Sequence, residues 1–369
     1  MRKANSAILT VALLLAMLVA ACGPTPEPTA MPTAVPTAVP TSPPVVVGKV
    51  GQVTDVGGID DRSFNATAWK GVQDAVAAFG VEGSYLESQQ QTDYERNIKE
   101  FIDQDYGLIV TVGFLLGDAT KAAAEANPDQ YFAIVDSSYD PPLPNVLGLT
   151  FSTDEAAFLA GYLAAGMSES GKVGTFGGIP IPPVTIFMVG FEKGVEYYNE
   201  QHGASVEVLG WETDPAMEGC GDGLFTGNFE STDDGRRFAS SLMDEGADII
   251  VPVAGPVGLG SAAACQERGM MMIGVDTDWY VSAPDYKEVY LTSILKNMDV
   301  AVYDAIKAVI EGTFVGGTYV GTLANDGVGI APFHDYEAAV PADLAAEVEQ
   351  LKQDIIDGKV STGWAECFE

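Results

Sequence analysis

A pattern of strands and helices that occurs once and then restarts constrains the fold more than any other feature of this sequence. Three apolar runs of strand length alternate with helical stretches in the first half: KVGQVTD (49–55), GLIVTVG (107–113) and YFAIVDSS (131–138). Similar runs return in the same order in the second half: GKVGTFGG (171–178), ADIIVPVAG (247–255) and MMIGVDTD (271–278). Uninterrupted apolar runs suit central strands of a parallel sheet, and their alternation with helices indicates βαβ units. The sequence therefore predicts an α/β fold with two doubly wound parallel-sheet lobes.

The length of the chain also favours two lobes, because a single hydrophobic core rarely grows beyond about 250–300 residues. We predict that the chain crosses between the lobes three times, near Phe151, Thr292 and Tyr319. Lobe 1 would then comprise residues 46–152 and 292–318, and lobe 2 residues 153–291 and 319–369. A C-terminal helix at about 339–357 is expected to pack on lobe 2.

The N-terminal residues read as an export signal followed by a spacer. Residues 1–21 begin with Arg2 and Lys3 and continue as an apolar stretch that is too short to span a membrane. The tetrad VAAC, which ends at Cys22, resembles a bacterial lipobox, so we expect Cys22 to become the lipid-bearing N-terminus. An ordinary signal peptide with a chance cysteine is the alternative. Residues 22–45 repeat Pro-Thr-Ala, which favours a stiff extended linker. This layout predicts a domain anchored by lipid to the cell membrane, facing the extracytoplasmic side.

Charge and composition exclude several classes of partner and cofactor. The chain has 52 acidic residues against 18 basic ones, a formal net charge of −34, which argues against nucleic acid and anionic lipid as ligands. The two histidines, His202 and His334, lack metal-ligand spacing, and no Cys/His cluster is present. We therefore expect no metal and no cofactor. Besides Cys22, one disulfide with a leftover thiol and three free cysteines are both compatible with this sequence.

Polar and glycine-rich clusters follow the predicted strands in both halves. Ligands of open α/β sheets bind beyond the carboxyl ends of the strands, so two such rims facing each other would form a cleft. The sequence lacks the phosphate-binding and nucleophile motifs GxxxxGK[ST], GxGxxG and GxSxG. Asp60 and Asp61 precede a helix, where capping competes with ligand contact and with acid–base chemistry. Phe64 fits both the buried face of that helix and a ligand-facing position, and Lys296 fits both a solvated surface and the cleft.

Several motifs together resemble the basic membrane protein family of lipoprotein substrate-binding components of ABC importers. They are TDVGGIDDRSFN, FAIVDSS, FSTDEAAFLAGYLAA, KVGTFGG, FMVGFEKGV, GADIIVPVAGPVGLG, IGVDTD and LTSILKNMDVAVYDAI, and they span about residues 48–335. The resemblance implies the type I periplasmic-binding fold with a three-crossing hinge. It also implies a purine nucleoside as ligand, an ABC permease as partner, a monomer and no catalysis.

The resemblance also implies ligand-binding residues by motif position. Those assigned to the base and the cleft floor are Asp61, Ser63, Phe64, Asn65 and Asp136. Phe187 and Phe229 match aromatic residues of the second lobe, one of which would stack on the base. Gly255, Asp276 and Lys296 match positions that hold the ribose. Thr185-Ile186 stands where the family often has an arginine before the aromatic residue, so the preferred base stays open.

The predicted function is a receptor that captures a nucleoside and delivers it to a permease. Two alternatives remain: an extracellular sensor of the same ligand class, and a nucleoside or sugar hydrolase. The identity of the permease and the type of bacterial envelope are not determined by the sequence. For the cysteines, we predict a Cys220–Cys265 disulfide, because both residues fall in the second lobe.

Overall fold

The computed structural model describes residues 48–368, which belong to one compact unit. The predicted signal peptide and the whole of the predicted linker, which begins at Cys22, lie outside the described residues. Within the described range, no helix combines the length and apolar character needed to cross a membrane.

Strands and helices alternate along the described chain. The strands are β1 (Lys49–Thr54), β2 (Glu82–Leu86), β3 (Leu108–Val112), β4 (Tyr131–Val135), β5 (Val146–Phe151), β6 (Lys172–Gly177), β7 (Glu207–Leu209), β8 (Trp211–Thr213), β9 (Gly221–Gly223), β10 (Ile249–Val253), β11 (Met271–Asp276), β12 (Tyr290–Lys296), β13 (Gly317–Gly321) and β14 (Val328–Ile330). The α-helices are α1 (Phe64–Phe79), α2 (Tyr94–Asp103), α3 (Gly117–Ala126), α4 (Thr153–Met167), α5 (Pro182–His202), α6 (Thr232–Asp244), α7 (Gly258–Arg268), α8 (Trp279–Ser282), α9 (Met298–Ile310) and α10 (Ala342–Ile356).

Two six-stranded sheets form the centres of the two lobes, which confirms the predicted fold class. Their strand orders are β13-β5-β4-β3-β1-β2 and β14-β12-β11-β10-β6-β7. All pairs within these sheets are parallel except β12 with β14. The central strands β3 and β10 are buried along their whole length, as expected for sheets covered by helices on both faces. The carboxyl ends of the parallel strands in each sheet supply the loops of the site described below.

Two of the three predicted lobe boundaries are shifted along the chain. Thr292 lies inside β12, which pairs with β11 as far as Leu295, so the second crossing follows Lys296. The third follows Gly321, because β13 pairs with β5 along its full length. Residues 292–296 therefore belong to the second sheet, and 319–321 to the first. The strand continues past the polar residues Thr292 and Ser293 and ends only at Lys296.

Helices α4 and α5 approach each other closely because each presents glycines to the other's backbone. A Cβ atom added at Gly161 would lie 2.0 Å from the carbonyl oxygen of Phe191, and one at Gly194 would lie 2.0 Å from that of Phe158. Since both obstacles are backbone atoms, a side chain at either position would force the helices apart.

We expect Gly161→Ala to lower the free energy of unfolding by about 1–3 kcal/mol, the usual cost of overpacking a core. Urea unfolding followed by circular dichroism measures the change. The matched control is Gly329→Ala, since a Cβ there would meet nothing within 4 Å and a change there should stay within about 0.5 kcal/mol. Equal stability of the Gly161 variant and wild type would contradict the close helix contact.

The predicted Cys220–Cys265 disulfide is wrong. The structure pairs Cys220 with Cys367, whose Cα atoms are 5.3 Å apart, and leaves Cys265 as a buried free cysteine. Cys265 lies in α7 within the core of the second lobe, and burial raises the pKa of its thiol to about 12. The C-terminal segment after α10 brings Cys367 to Cys220 across a sequence separation of 147 residues, and no local sequence pattern indicates that contact.

Candidate ligand-binding site

A cavity lies between the carboxyl ends of the strands of the two sheets. The cavity and its open mouth together contain about 620 Å³ of space free of protein atoms. Its lining residues are Asp55, Val56, Asp61, Phe64, Asn65, Gly113, Phe114, Asp136, Ile181, Pro183, Val184, Phe187, Phe229, Val253, Ala254, Gly255, Pro256, Val275, Asp276 and Lys296. Every residue predicted to bind ligand is among them except Ser63, which is fully buried behind the wall.

Asp61 holds the first loop by accepting hydrogen bonds from the backbone of α1. Its oxygens accept from the N–H groups of Ser63 (3.0 Å), Asn65 (2.7 Å) and Ala66 (2.9 Å). These groups have no partner inside the helix, so a carboxylate there satisfies them and complements the helix dipole. Of the two adjacent aspartates, Asp61 therefore caps the helix. Because Asp61 also lines the cavity, its contact with a ligand stays a prediction.

Burial raises the pKa of Asp61 to about 6, although the three backbone N–H groups oppose the shift. Because this value exceeds the unfolded pKa of about 3.9, the folded state binds more protons between these two pH values. The contribution of Asp61 to stability should therefore increase by up to about 3 kcal/mol as pH falls from 7 to 4.

Asp61→Asn should remove this increase while keeping an oxygen that can cap the helix. Urea unfolding from pH 7 to pH 4 compares the pH slope of wild type with that of the variant. Asp60→Asn, at the exposed residue next to Asp61, is the matched control for the loss of one negative charge. If the free energy of unfolding changed identically with pH in wild type and in Asp61→Asn, the raised pKa of Asp61 would be contradicted.

Two buried polar contacts join the lobes at the cavity. The Ser63 hydroxyl, at the start of α1, donates to Asp276 Oδ2 at 2.8 Å, at the end of β11. Lys296 Nζ, at the end of β12, contacts both carboxylate oxygens of Asp136, at the end of β4, at 2.5 and 2.6 Å. The side chains of Lys296 and Asp136 are only 3% and 8% exposed. The structure is therefore closed. Asp136 of lobe 1 pairs with Lys296 of lobe 2, and Asp276 of lobe 2 accepts from Ser63 of lobe 1.

Aromatic rings surround the Lys296 ammonium on the sides that Asp136 leaves open. Nζ lies 5.0 Å from the ring centre of Phe64, 5.4 Å from Phe151 and 5.9 Å from Phe187. Each distance is within the range of cation–π attraction. Lys296 is thus a buried cation, not the solvated surface lysine that the sequence also allowed.

Asp136 and Asp276 occupy equivalent places and share an unusual backbone. Their φ angles are +66° and +69°, a region in which residues other than glycine are uncommon, with Asp and Asn enriched among them. Burial raises the pKa of both carboxyls, and the nearby Lys296 ammonium opposes that shift. Strained backbone persists where surrounding structure fixes it, commonly at ligand sites.

Aromatic rings from both lobes also line the cavity. Phe187 in α5 is 2% exposed, and Phe229 packs over Gly178 so closely that a Cβ there would lie 2.2 Å from the ring. Gly255 has φ +54° at the start of the turn before α7. With Phe64, these rings give the cavity flat walls of the kind that accept a planar ring system.

Two features of the site went unrecognised in the sequence. Asp55 directly follows β1 and lines the cavity, where it accepts hydrogen bonds from the Tyr94 hydroxyl and the Val56 N–H. Its position at a strand end was the available signal, whereas nothing near Tyr94 indicated the contact.

Asn65 was predicted as a ligand-binding residue, but the sequence did not indicate that its buried Oδ1 has no hydrogen-bond partner. An unpaired buried acceptor is costly, so Asn65 offers an acceptor to a ligand.

Two α/β lobes of matching strand order, joined by three crossings around a cavity, define a substrate-binding protein of the periplasmic type I fold. Among the described residues, no group of three or more His, Cys, Asp or Glu side chains could hold a metal ion. A family model described as "ABC transporter substrate-binding protein PnrA-like" matches residues 49–219 and 224–363. The chain therefore belongs to this Bmp family, as its motifs predicted, and family membership confirms a binding protein rather than an enzyme.

Known proteins support the same assignment. The chain is 30% identical to a Lactococcus lactis protein named "ABC transporter nucleoside-binding protein BmpA", over 85% of this chain and 88% of that one. It is 33% identical to a Pyrococcus abyssi protein named as an uncharacterized lipoprotein, over 82% and 73%. A solute-binding protein of an ABC transporter system from Aeropyrum pernix K1 superposes with a TM-score of 0.76 at 29% identity, covering 85% of this chain and 92% of that one.

Proposed function

We propose that this protein binds a purine nucleoside in the interlobe cavity and delivers it to the permease of an ABC importer. The observation that carries the proposal is the combination of aromatic rings and buried charged groups in the lining of one cavity. Phe64, Phe187 and Phe229 supply apolar ring faces, and Asp276 and Lys296 supply charged groups. A nucleoside calls for both, with a flat base joined to a ribose that bears two vicinal hydroxyls.

Asp276 and Lys296 suit a diol because their charged groups differ in hydrogen-bonding role. A carboxylate only accepts and an ammonium only donates, whereas each ribose hydroxyl does both. Asp276 and Lys296 would therefore fix the diol from two sides, while Asn65 Oδ1 would accept from the base. The relative from Lactococcus lactis is itself named a nucleoside-binding protein, which supports this ligand class for the present chain.

Calorimetry on the full chain purified in detergent tests the ligand class directly. Adenosine, guanosine and inosine are titrated beside ribose and an amino acid, and mass spectrometry identifies any ligand that copurifies. Binding of at least one purine nucleoside in preference to ribose supports the proposal. Tight binding of a sugar or amino acid without any nucleoside would refute it and leave the family assignment intact.

The protein acts from the membrane surface in this proposal, held by lipid on Cys22 at the extracytoplasmic side. Relatives named as lipoproteins support this anchoring, and one acyl chain alone binds membranes only marginally, so several chains are expected.

We expect Cys22→Ser to abolish lipid attachment and to leave the protein either unprocessed or released from membranes. Membrane fractionation and intact-mass measurement of the recovered protein check this result. Cys265→Ser, a cysteine buried in the folded domain, is the matched control and should fractionate like wild type. A Cys22 variant with wild-type processing and fractionation would contradict the lipid anchor.

A further inference from the structure

The segment 214–231, between β8 and α6, carries Phe229 to the cavity but has almost no core of its own. Where the structure describes side-chain burial in this segment, Cys220 is the only buried residue, at 2% exposure. Segments with few buried apolar contacts open locally at low free-energy cost. The rings of Phe225 and Phe229 are partly buried and pack against the core, but the segment contributes little other apolar burial to keep this part of the cavity wall in place.

Backbone hydrogen bonds hold the segment on the cavity side. The Thr226 N–H donates to the Gly177 carbonyl at 3.0 Å, and the Gly227 N–H donates to that of Gly178 at 2.8 Å. These bonds join the segment to the end of β6, where the Phe229 ring covers Gly178. The Gly177 N–H in turn donates to the Leu224 carbonyl at 2.9 Å, and Gly227 itself is exposed.

The Cys220–Cys367 disulfide holds the segment on its other side. Cys367 lies in the short 3₁₀ helix Trp364–Phe368. The residues before that helix are anchored to the core, since the Thr362 hydroxyl donates to the Asp154 carboxylate of α4. A Cβ added at Gly363 would lie 2.8 Å from the Lys193 side chain of α5. The disulfide thus ties the Phe229 segment to helices α4 and α5 of the second lobe.

We propose that the Cys220–Cys367 disulfide is a positioning tether that keeps Phe229 in the wall of the ligand cavity. The identity of the ligand in this inference rests on the proposed nucleoside function, but the tethering does not. Without the disulfide, the segment spends part of the time in conformations in which Phe229 no longer lines the cavity. A segment correctly placed about a tenth of the time weakens apparent affinity about tenfold.

Hydrogen–deuterium exchange on the full chain in detergent tests the tether without any ligand. In Cys220→Ala/Cys367→Ala we expect the amides of Thr226 and Gly227 to exchange at least about tenfold faster, while those of the central strand β10 keep their protection. Cys265→Ala, which removes the free cysteine of the same lobe, should exchange like wild type. Wild type reduced with dithiothreitol gives the same comparison if the double variant does not fold. Unchanged protection at Thr226 and Gly227 in the disulfide-free protein would overturn the proposal.

Ligand affinity tests whether the tether acts through Phe229. We expect adenosine, or whichever nucleoside wild type binds best, to bind the disulfide-free protein about tenfold more weakly. In a Phe229→Ala background, loss of the disulfide should change affinity by less than about twofold, because the ring that it positions is absent. An equal loss in both backgrounds would overturn the role of Phe229. Failure of wild type to bind any nucleoside would count against the proposed function only, since the exchange measurement decides the tether separately.

Discussion

Replacing Asp276 with alanine is expected to weaken nucleoside binding by about tenfold to a few hundredfold. A charge-assisted hydrogen bond in a closed cavity contributes about 1.5–3 kcal/mol, and 1.4 kcal/mol is a factor of ten. Asp276 is 7% exposed in the cavity wall, and the proposal assigns it to the ribose. The affinity of the free base, which lacks the ribose, should therefore fall far less than that of the nucleoside.

Calorimetry with adenosine and adenine separates these two effects. Because Asp276 also accepts a hydrogen bond from Ser63 of the other lobe, Ser63→Ala removes the interlobe contact but keeps the carboxylate. Asp244→Ala removes an exposed carboxylate of the same lobe that pairs with Arg268 and should leave binding unchanged. If Ser63→Ala weakened nucleoside binding as much as Asp276→Ala does, Asp276 would be acting through lobe closure and not through the ribose.

The second large effect concerns the buried ion pair between the lobes. Asp136→Asn leaves the Lys296 ammonium enclosed by rings without its counter-ion, and removing one partner of a buried pair costs about 3–5 kcal/mol. Since the partners belong to opposite lobes, this cost applies to the closed arrangement, whereas water can solvate Lys296 when the lobes separate. We expect the variant to open and its nucleoside affinity to fall by about a hundredfold or more.

Small-angle X-ray scattering of the ligand-free protein measures the opening, and calorimetry measures the affinity. Asp136→Leu/Lys296→Met replaces the pair with apolar groups, an exchange that is often neutral or stabilising, so it should restore compact scattering without restoring nucleoside binding. A wild-type scattering profile for Asp136→Asn would show that the ion pair does not hold the lobes together.

Periodicity and strand-end rules predicted most of the fold and the general location of the cavity. Each of the six predicted strand runs contains a strand in the structure, and the C-terminal helix predicted at about 339–357 extends from Ala342 to Ile356. These elements could be predicted because their apolar spacing and the residues that bound them are local features of the sequence. The crossing after Lys296 was misplaced because β12 continues through Thr292 and Ser293 as far as Lys296, and its extent depends on pairing with β11.

Contacts between distant parts of the chain were the features that the sequence could not predict. The pairing of Cys220 with Cys367 depends on the path of the C-terminal segment, and Lys296 reaches Asp136 only because the two lobes meet. The resemblance to a family identified both residues of that ion pair as ligand-facing, but it did not indicate that they bind each other. Side-chain partners of this kind follow from tertiary packing, which no spacing rule encodes.

Strand register shows that the two lobes depart from internal symmetry at one decisive position. Val135 of β4 pairs with Leu149 of β5, and Val275 of β11 pairs with Ile294 of β12. Two residues further on, Phe151 ends β5 and Lys296 ends β12, so a phenyl ring in one lobe is the counterpart of an ammonium in the other. A cavity built from two identical halves would accept a ligand equally well in two reversed poses. The exchange of ring for cation gives the two walls of the cavity different chemistry, so the two reversed poses of an asymmetric solute are not equivalent.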